Sequence, residues 1–565
     1  MDMKKIIVSV AIMAASVGGY SGAVMAHAPT VVPDLEIFMS GASAMDNSIT
    51  SMFQNLCQPG TLDTYLNSGA NPGNAYRAFF CTLSANEVPG FSSEQRVLFI
   101  KRSAGGSAQG VSPLIEEAQL DALNIFNNNC TETAAGSHTW HCTINPGTGD
   151  LVQKHPNIGI SDVDPLLFRG VNTPAGFNPV TPAGAQQLDV RAVAALLFGV
   201  PVTNGLYNAL QAAQIDLGAL PESCNIGDYS EACMPSLSKH QVASLISGQI
   251  RTWDEFRIDN GTPEGIPFTN YPGITPPTDN KVYFCKRTAG SGTAAQQYAK
   301  FLNNPCSDGA LEPLGVDNEF EGPRVIENAG SGDMDLCLDD FAKGENRSGR
   351  NEGGVVAWAI GQQGLERNSN LAFDYKFVKI DGVAPTLKNA ASGKYVDWVE
   401  PTYQWRTSGA GAPSGDALRI IEKMVVDAGE PSSVASILNA NTNHPFGKSG
   451  YLAVASNGHP YSHVLNEDAP VIAYSHAGTG TLNNCNVPVI TANSNTLKPL
   501  VVFGTGGGSG GGGNPSDRPT ISPDLSQVTI PCLNFEGTNF RIIMHQLQDI
   551  LHWRVVEATD ALSCN

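Results

Sequence analysis

Short apolar runs, each closed by a turn of glycine and small hydroxyl residues, punctuate the first two thirds of the chain. IFMSGAS at 37–43, VLFIKRSAGGSAQG at 97–110, IGISD at 158–162 and VYFCKRTAGSGTAAQQYAKF at 282–301 each read as a buried strand, a turn and the start of a helix. Runs this short suit strands covered on both faces, as in parallel sheets flanked by helices. Their recurrence predicts an α/β protein whose strand ends converge on one crevice, the usual ligand position in open parallel sheets. LLFGVPVT at 196–203 is a further buried strand, placed to pass from one lobe to the next, and VVAWAIG at 355–361 is another. Residues 236–256 predict a helix stopped at Gly248 and a turn packed by Trp253. Residues 540–555 carry apolar positions at helical spacing.

The two ends of the chain behave differently. MDMKK, an apolar run over 6–17 and small residues up to Ala26-His27-Ala28 form a secretory signal peptide, cut after Ala28 or, as second choice, after Ala26. No cysteine follows either point, so a lipid anchor there is not expected, and no later stretch is long and apolar enough to span a bilayer. Near the other end, the glycine tract 504–513 reads as a loop or linker.

In an exported chain the 12 cysteines are most simply disulfides, and none forms a CxxC pair. Cys57 with Cys81, Cys130 with Cys142 and Cys224 with Cys233 are plausible local staples, and Cys564 is placed to tie down the tail, although spacing alone does not fix connectivity. The balance of 53 acidic against 33 basic residues, a formal net charge of −20, disfavours nucleic acid and anionic membranes as partners. It does not exclude an anionic small molecule, because a few buried donors outweigh a distant acidic surface that salt screens over about 8 Å.

The segment 282–301 carries the sharpest chemistry. A strand ending in Arg287 presents a planar guanidinium, the turn Ser291-Gly292-Thr293 lets backbone N–H groups approach a ligand, and the helix that follows adds the positive end of its dipole. This is an anion cradle; the plainer alternative is a strand-to-helix loop with no ligand. The Gly-Ser-Gly turn within 327–333 reads as a capped helix start that also has the chance to line the cleft. His138, His141 and Cys142 do not make a metal site, since Cys142 is better used in a disulfide and no carboxylate lies close in sequence. No nucleophile elbow, HExxH or Walker pattern appears, so no enzyme activity and no cofactor are expected. Asp339-Asp340 reads as solvated surface charge, and Lys101-Arg102, directly before Ser103, as extra positive charge or, alternatively, a solvated strand end.

Taken in order, these segments resemble the phosphate-binding proteins of ABC transporters, the PstS-like branch of the type II periplasmic binding proteins. IFMSGASAM, RSAGGSAQGV and IGISDVDPL look like that family's first three ligand loops. LISGQIRTWDEF, KRTAGSGTAAQQYAKFL, VVAWAIG and IDGVAPTLKNAASGKY resemble its later segments, so the likeness runs over about 37–405. It implies an α/β fold of two lobes with a ligand cleft between them, here with disulfide-bearing insertions near 57–94, 120–156 and 308–325. The expected layout is a signal peptide over 1–28, lobe 1 over 29–198, lobe 2 over 199–398, a return to lobe 1 over 399–448 and a C-terminal extension over 449–565.

The resemblance further implies that Ser43, the Ala44 backbone, Ser103, Asp162, Arg287, Ser291, Gly292 and Thr293 surround inorganic phosphate or a related oxyanion, delivered to an ABC permease or scavenged outside the cell. Asp162 would accept the ligand's proton and so reject unprotonated sulfate; its alternative is an N-cap of the helix that follows. Closure would hinge near 200–202 and 399–403. One departure stands out: where the family commonly pairs the site arginine with an Asp two residues on, this chain has Ala289. Two rival readings remain: a secreted structural or interaction protein on the same scaffold that no longer serves transport, and a phosphate-ester hydrolase, which lacks a nucleophile or metal site.

Overall fold

A computed structural model describes residues 27–503 apart from 68–74, 92, 146, 316–321, 463, 479 and 491–499, together with four strands beyond 519. All but the last two residues of the expected signal peptide, the glycine tract and Cys564 lie outside the described residues. Residues up to Gly504 form one compact unit and those from Thr505 another.

The larger unit is an α/β protein of two lobes, each with its own hydrophobic core. In lobe 1, Leu35–Gly41 lies between and parallel to Gln95–Arg102 and Ile158–Ser161, so three carboxyl ends point the same way. Thr402–Arg406 and Leu188–Ala192 extend this sheet antiparallel on one side, and Tyr76–Leu83, Asp63–Asn67, Thr139–Cys142 and Cys130–Glu132 extend it on the other. The hairpin of Leu120–Leu123 and Leu151–Lys154 covers the back of the sheet, where Phe38, Tyr65, Phe80 and Ile100 form a small third core. Cys57–Cys81 and Cys130–Cys142 pin these additions. Lobe 2 is a five-stranded sheet in the order Arg324–Asn328, Tyr283–Arg287, Ala359–Ile360, Pro201–Thr203 and Tyr375–Phe377. Its helix Lys239–Ile246 starts at a capping box of Ser238 and Gln241, stops at Gly248 with φ 72°, and leads to the fully buried Trp253.

Between the lobes runs a third sheet. Ala194–Gly199 pairs with Tyr451–Val454, with Trp398–Val399 and with Gln363–Gly364. Because side chains alternate along a strand, Leu196 and Phe198 enter the first core while Ala195 and Leu197 enter the second. Tyr451 and Ala453 face one core, Leu452 and Val454 the other. The chain after 449, which sequence sets apart as an extension, thus feeds a strand into the joint between the lobes.

Three sequence expectations are corrected. The described residues of the segment 540–555 are not helical: Thr538–Gln546 and Trp553–Asp560 are strands of a four-stranded antiparallel sheet in the smaller unit, where pairing overrides a short helical spacing. Asp339 and Asp340 are fully buried, because the helix Ser331–Lys343 turns them inward, where Lys343 and Arg347 neutralise Asp339. Lys101 is fully buried, which removes the solvated alternative for that strand end.

Candidate functional site

The parallel strands of lobe 1 deliver three loops to one edge. The first presents Ser43, half-buried, and the buried Ala44. The third presents Asp162, and its local bonding decides between the two roles the sequence leaves open. Asp164, not Asp162, caps the turn Pro165–Leu167, accepting the Leu166 N–H at 2.9 Å, while the Ser161 hydroxyl accepts the Val163 N–H at 3.2 Å. The Asp162 side chain is free to point inward. Its Oδ2 accepts the Thr293 hydroxyl at 3.3 Å, its backbone N–H donates to Ser107 Oγ at 3.2 Å, and its Oδ1 is buried with no hydrogen-bond partner.

Lobe 2 supplies the other wall. Tyr283–Arg287 ends in the buried guanidinium, whose Nε donates to the Asn328 carbonyl at 3.2 Å, Nη2 to the Ala329 carbonyl at 3.1 Å and Nη1 to Ser331 Oγ at 3.2 Å. Neutral oxygens therefore hold Arg287, with Ala289 at the position where a carboxylate could have paired with it, and its charge stays uncompensated by that route. Ser331 opens the helix Ser331–Lys343, whose Gly330 N–H is capped by Asp333 at 2.9 Å, and its hydroxyl lies 3.4 Å from that of Ser43 in lobe 1. The capped start and the cleft lining are one feature. Ser291 is an N-cap, its Oγ accepting the Ala294 N–H at 3.3 Å at the start of Gly292–Gln297.

The two walls touch directly. The Ala108 N–H donates to the Gly290 carbonyl at 2.8 Å and the Gly290 N–H to the Asn172 carbonyl at 3.1 Å. Gly292 permits this approach, since a Cβ there would sit 2.4 Å from Ser107 Oγ and 2.7 Å from Asp162 Cβ. Burial raises the Asp162 carboxyl above its ordinary value, opposed by the Arg287 charge and the hydroxyls of Ser107 and Thr293. Burial likewise lowers Arg287, opposed first by Asp162. The two face each other as opposite charges, both nearly sealed from water.

Ser103 belongs to a neighbouring network. Its hydroxyl contacts both Asp46 oxygens at 2.7 Å and receives Lys101 Nζ at 3.1 Å. Lys101 also bonds the Gly41 and Ala42 carbonyls at 3.1 and 3.2 Å, and Asp46 pairs with Arg77 at 3.1 Å. The lysine thus holds the first loop in shape from beneath. The structure brings Ser43, Asp162, Arg287 and Thr293 together with Gly292, uses Ser291 to start the helix, and sets Ser103 one layer back. Ser107 was missed, although it lies in a glycine-flanked turn that the sequence displays, and Ser331 was foreseen only as part of a turn with the chance to line the cleft; the Asn328 and Ala329 carbonyls leave no side-chain signal at all.

No family model matches the chain, and no curated protein matches it. Among solved structures, one described as a phosphate ABC transporter substrate-binding protein with bound phosphate from Clostridium perfringens aligns over 71% of this chain and 97% of its own, at 12% identity and a TM-score of 0.36. An ABC-type phosphate transport receptor from Vibrio cholerae aligns over 69% and 93%, at 12% identity and a TM-score of 0.32. PstS from Borrelia burgdorferi aligns over 71% and 96%, at 11% identity and a TM-score of 0.30. Likenesses at this level carry no weight for ligand or residue roles.

Proposed function

We propose that this protein is an exported solute-binding protein that holds inorganic phosphate between its lobes and serves an ABC permease. The observation that supports this reading best is the Asp162 Oδ1, buried without a donor, facing an Arg287 that only neutral oxygens hold. An unmet buried acceptor costs about 1–3 kcal/mol. A ligand that relieves it must bring a hydrogen, and one that suits Arg287 must bring negative charge. A protonated tetrahedral oxyanion has both, with further oxygens for Ser43, Ser331 and Thr293; fully ionised sulfate has no hydrogen to give. Opening requires bending at the middle sheet, where 200–202 and 399–403 leave it for the two lobes.

Titration calorimetry of phosphate-stripped protein tests this. Phosphate is expected to bind and sulfate not to, Arg287→Ala to weaken phosphate binding at least about 30-fold through loss of a buried charged hydrogen-bonding group, and Asp162→Asn to admit sulfate because an amide donates where the carboxylate repels. Absence of heat with either anion across these proteins would remove the reading.

A further inference from the structure

A second carboxyl without a partner lies close to this site, three residues beyond Gln363, whose side-chain amide donates to the Ser331 carbonyl at 2.8 Å. Glu366 follows the short strand Gln363–Gly364 of the middle sheet, and both its carboxylate oxygens are sealed from solvent and meet no donor from another residue. The nearest cation in sequence, Arg367, gives one nitrogen to another carboxylate and keeps its Nε buried without a partner. Arg367 Nη2 bonds the fully buried Asp335, which also takes the Gln363 side-chain amide and the Tyr375 hydroxyl at 2.8 Å each. The groups facing Glu366 are Arg367, Asp162 and Asp335, with Tyr451 of the middle sheet, which also feels Asp162 and Tyr403. Tyr403 is itself buried with an unpaired hydroxyl.

An ionised carboxylate in that setting shares its facing cation, Arg367, with Asp335, and a carboxyl beside another carboxylate resists ionising. Burial, reinforced by Asp162 and Asp335 and opposed by Arg367, pushes Glu366 up to about 8. The neutral acid is a hydrogen-bond donor that meets no protein acceptor, within electrostatic reach of Asp162, whose Oδ1 has no protein donor. We propose that Glu366 is a second carboxyl of the ligand site, donating its hydrogen to the bound oxyanion while Asp162 accepts one from it, so that phosphate binding in alkaline solution takes up one proton. This rests on the oxyanion reading above. One anion oxygen receives the Glu366 O–H and another gives its own hydrogen to Asp162, so the complex holds one proton more than Asp162 alone requires.

The test is phosphate titration of the full protein at about pH 7 and about pH 9, each in two buffers of different ionisation enthalpy so that protons are counted. At about pH 9 the free anion is doubly charged and free Glu366 mostly ionised, so close to one proton is expected to enter per phosphate bound, with affinity falling about tenfold per pH unit above about 8. In Glu366→Gln, whose amide donates at every pH, the uptake is expected to vanish and the affinity to change less than about threefold over the same range. Binding without proton uptake in the wild-type protein at about pH 9, or an equal slope in both proteins, overturns the role of Glu366 while leaving the oxyanion site standing. Absence of phosphate binding at every pH overturns both, and the wild-type proton count decides the matter if the variant does not fold.

Discussion

The bond between Cys306 and Cys485 joins residues 179 apart in sequence, and its place makes it more than a local staple. Cys306 follows the helical segment that begins at Gly292 and carries Thr293. Cys485 follows Asn484, which exchanges two hydrogen bonds with Asp164: the Asp164 N–H donates to Asn484 Oδ1 at 2.7 Å and the Asn484 N–H to Asp164 Oδ2 at 2.8 Å. The bridge therefore ties the helix that bears one site residue to the loop that bears another. Loop-closure entropy gives about 5 kcal/mol for a separation of 179 and about 2.5 kcal/mol for the separation of 9 between Cys224 and Cys233. Paired serine variants, Cys306→Ser with Cys485→Ser and Cys224→Ser with Cys233→Ser, are to be unfolded in guanidinium without reductant. The long-loop pair is expected to lose about twice the free energy of the short-loop pair at similar denaturant slope. A long-loop cost equal to or below the short-loop cost would refute the reasoning, because it would mean that the unfolded chain gains no freedom when this constraint is cut.

Three further outcomes follow from the geometry. Gly292→Ala forces a Cβ against Ser107 Oγ and Asp162 Cβ, so a loss of 1–3 kcal/mol, of the order overpacking costs, and at least about tenfold weaker phosphate binding are expected in thermal melts and calorimetry. Lys101→Met removes the ammonium that bonds Asp46, Ser103 and the Gly41 and Ala42 carbonyls; urea unfolding should show a loss on the order of 3 kcal/mol, the scale of breaking a buried ion pair. Burial lowers His444 to about 4, with its Nε2 bonded to the Leu365 carbonyl at 2.7 Å. The unfolded state therefore binds the proton more tightly, and stability held above about pH 6.5 is lost as the pH falls towards about 4, by up to about 3 kcal/mol. His444→Phe, which retains the stacking on Phe446, should flatten that part of the stability profile in urea melts between about pH 7 and pH 4.

The sequence by itself determined the strand-and-turn units, because an apolar run closed by glycine and serine is a local pattern and needs no distant partner to be recognised. Arg287, Asp162 and Thr293 were legible for the same reason: each stands at the exit of such a unit. The local disulfides Cys57–Cys81, Cys130–Cys142 and Cys224–Cys233 were also within reach, since short spacing limits the choices. Only the tertiary structure decided what each exit residue does. Asp162 is left for the cleft because Asp164 takes the cap, Ser103 is withdrawn into the Lys101 and Asp46 network, and Ser331 reaches Ser43 across 288 positions of chain. Glu366 and Arg367 are adjacent in sequence; packing turns the arginine to Asp335 and leaves both glutamate oxygens without a partner. The bridge from Cys306 to Cys485 and the strand Tyr451–Val454 in the middle sheet are likewise decided by which surfaces the folded chain brings together. Local patterns state which atoms are available, whereas desolvation and competition among partners, which settle their charge and use, depend on neighbours hundreds of residues away.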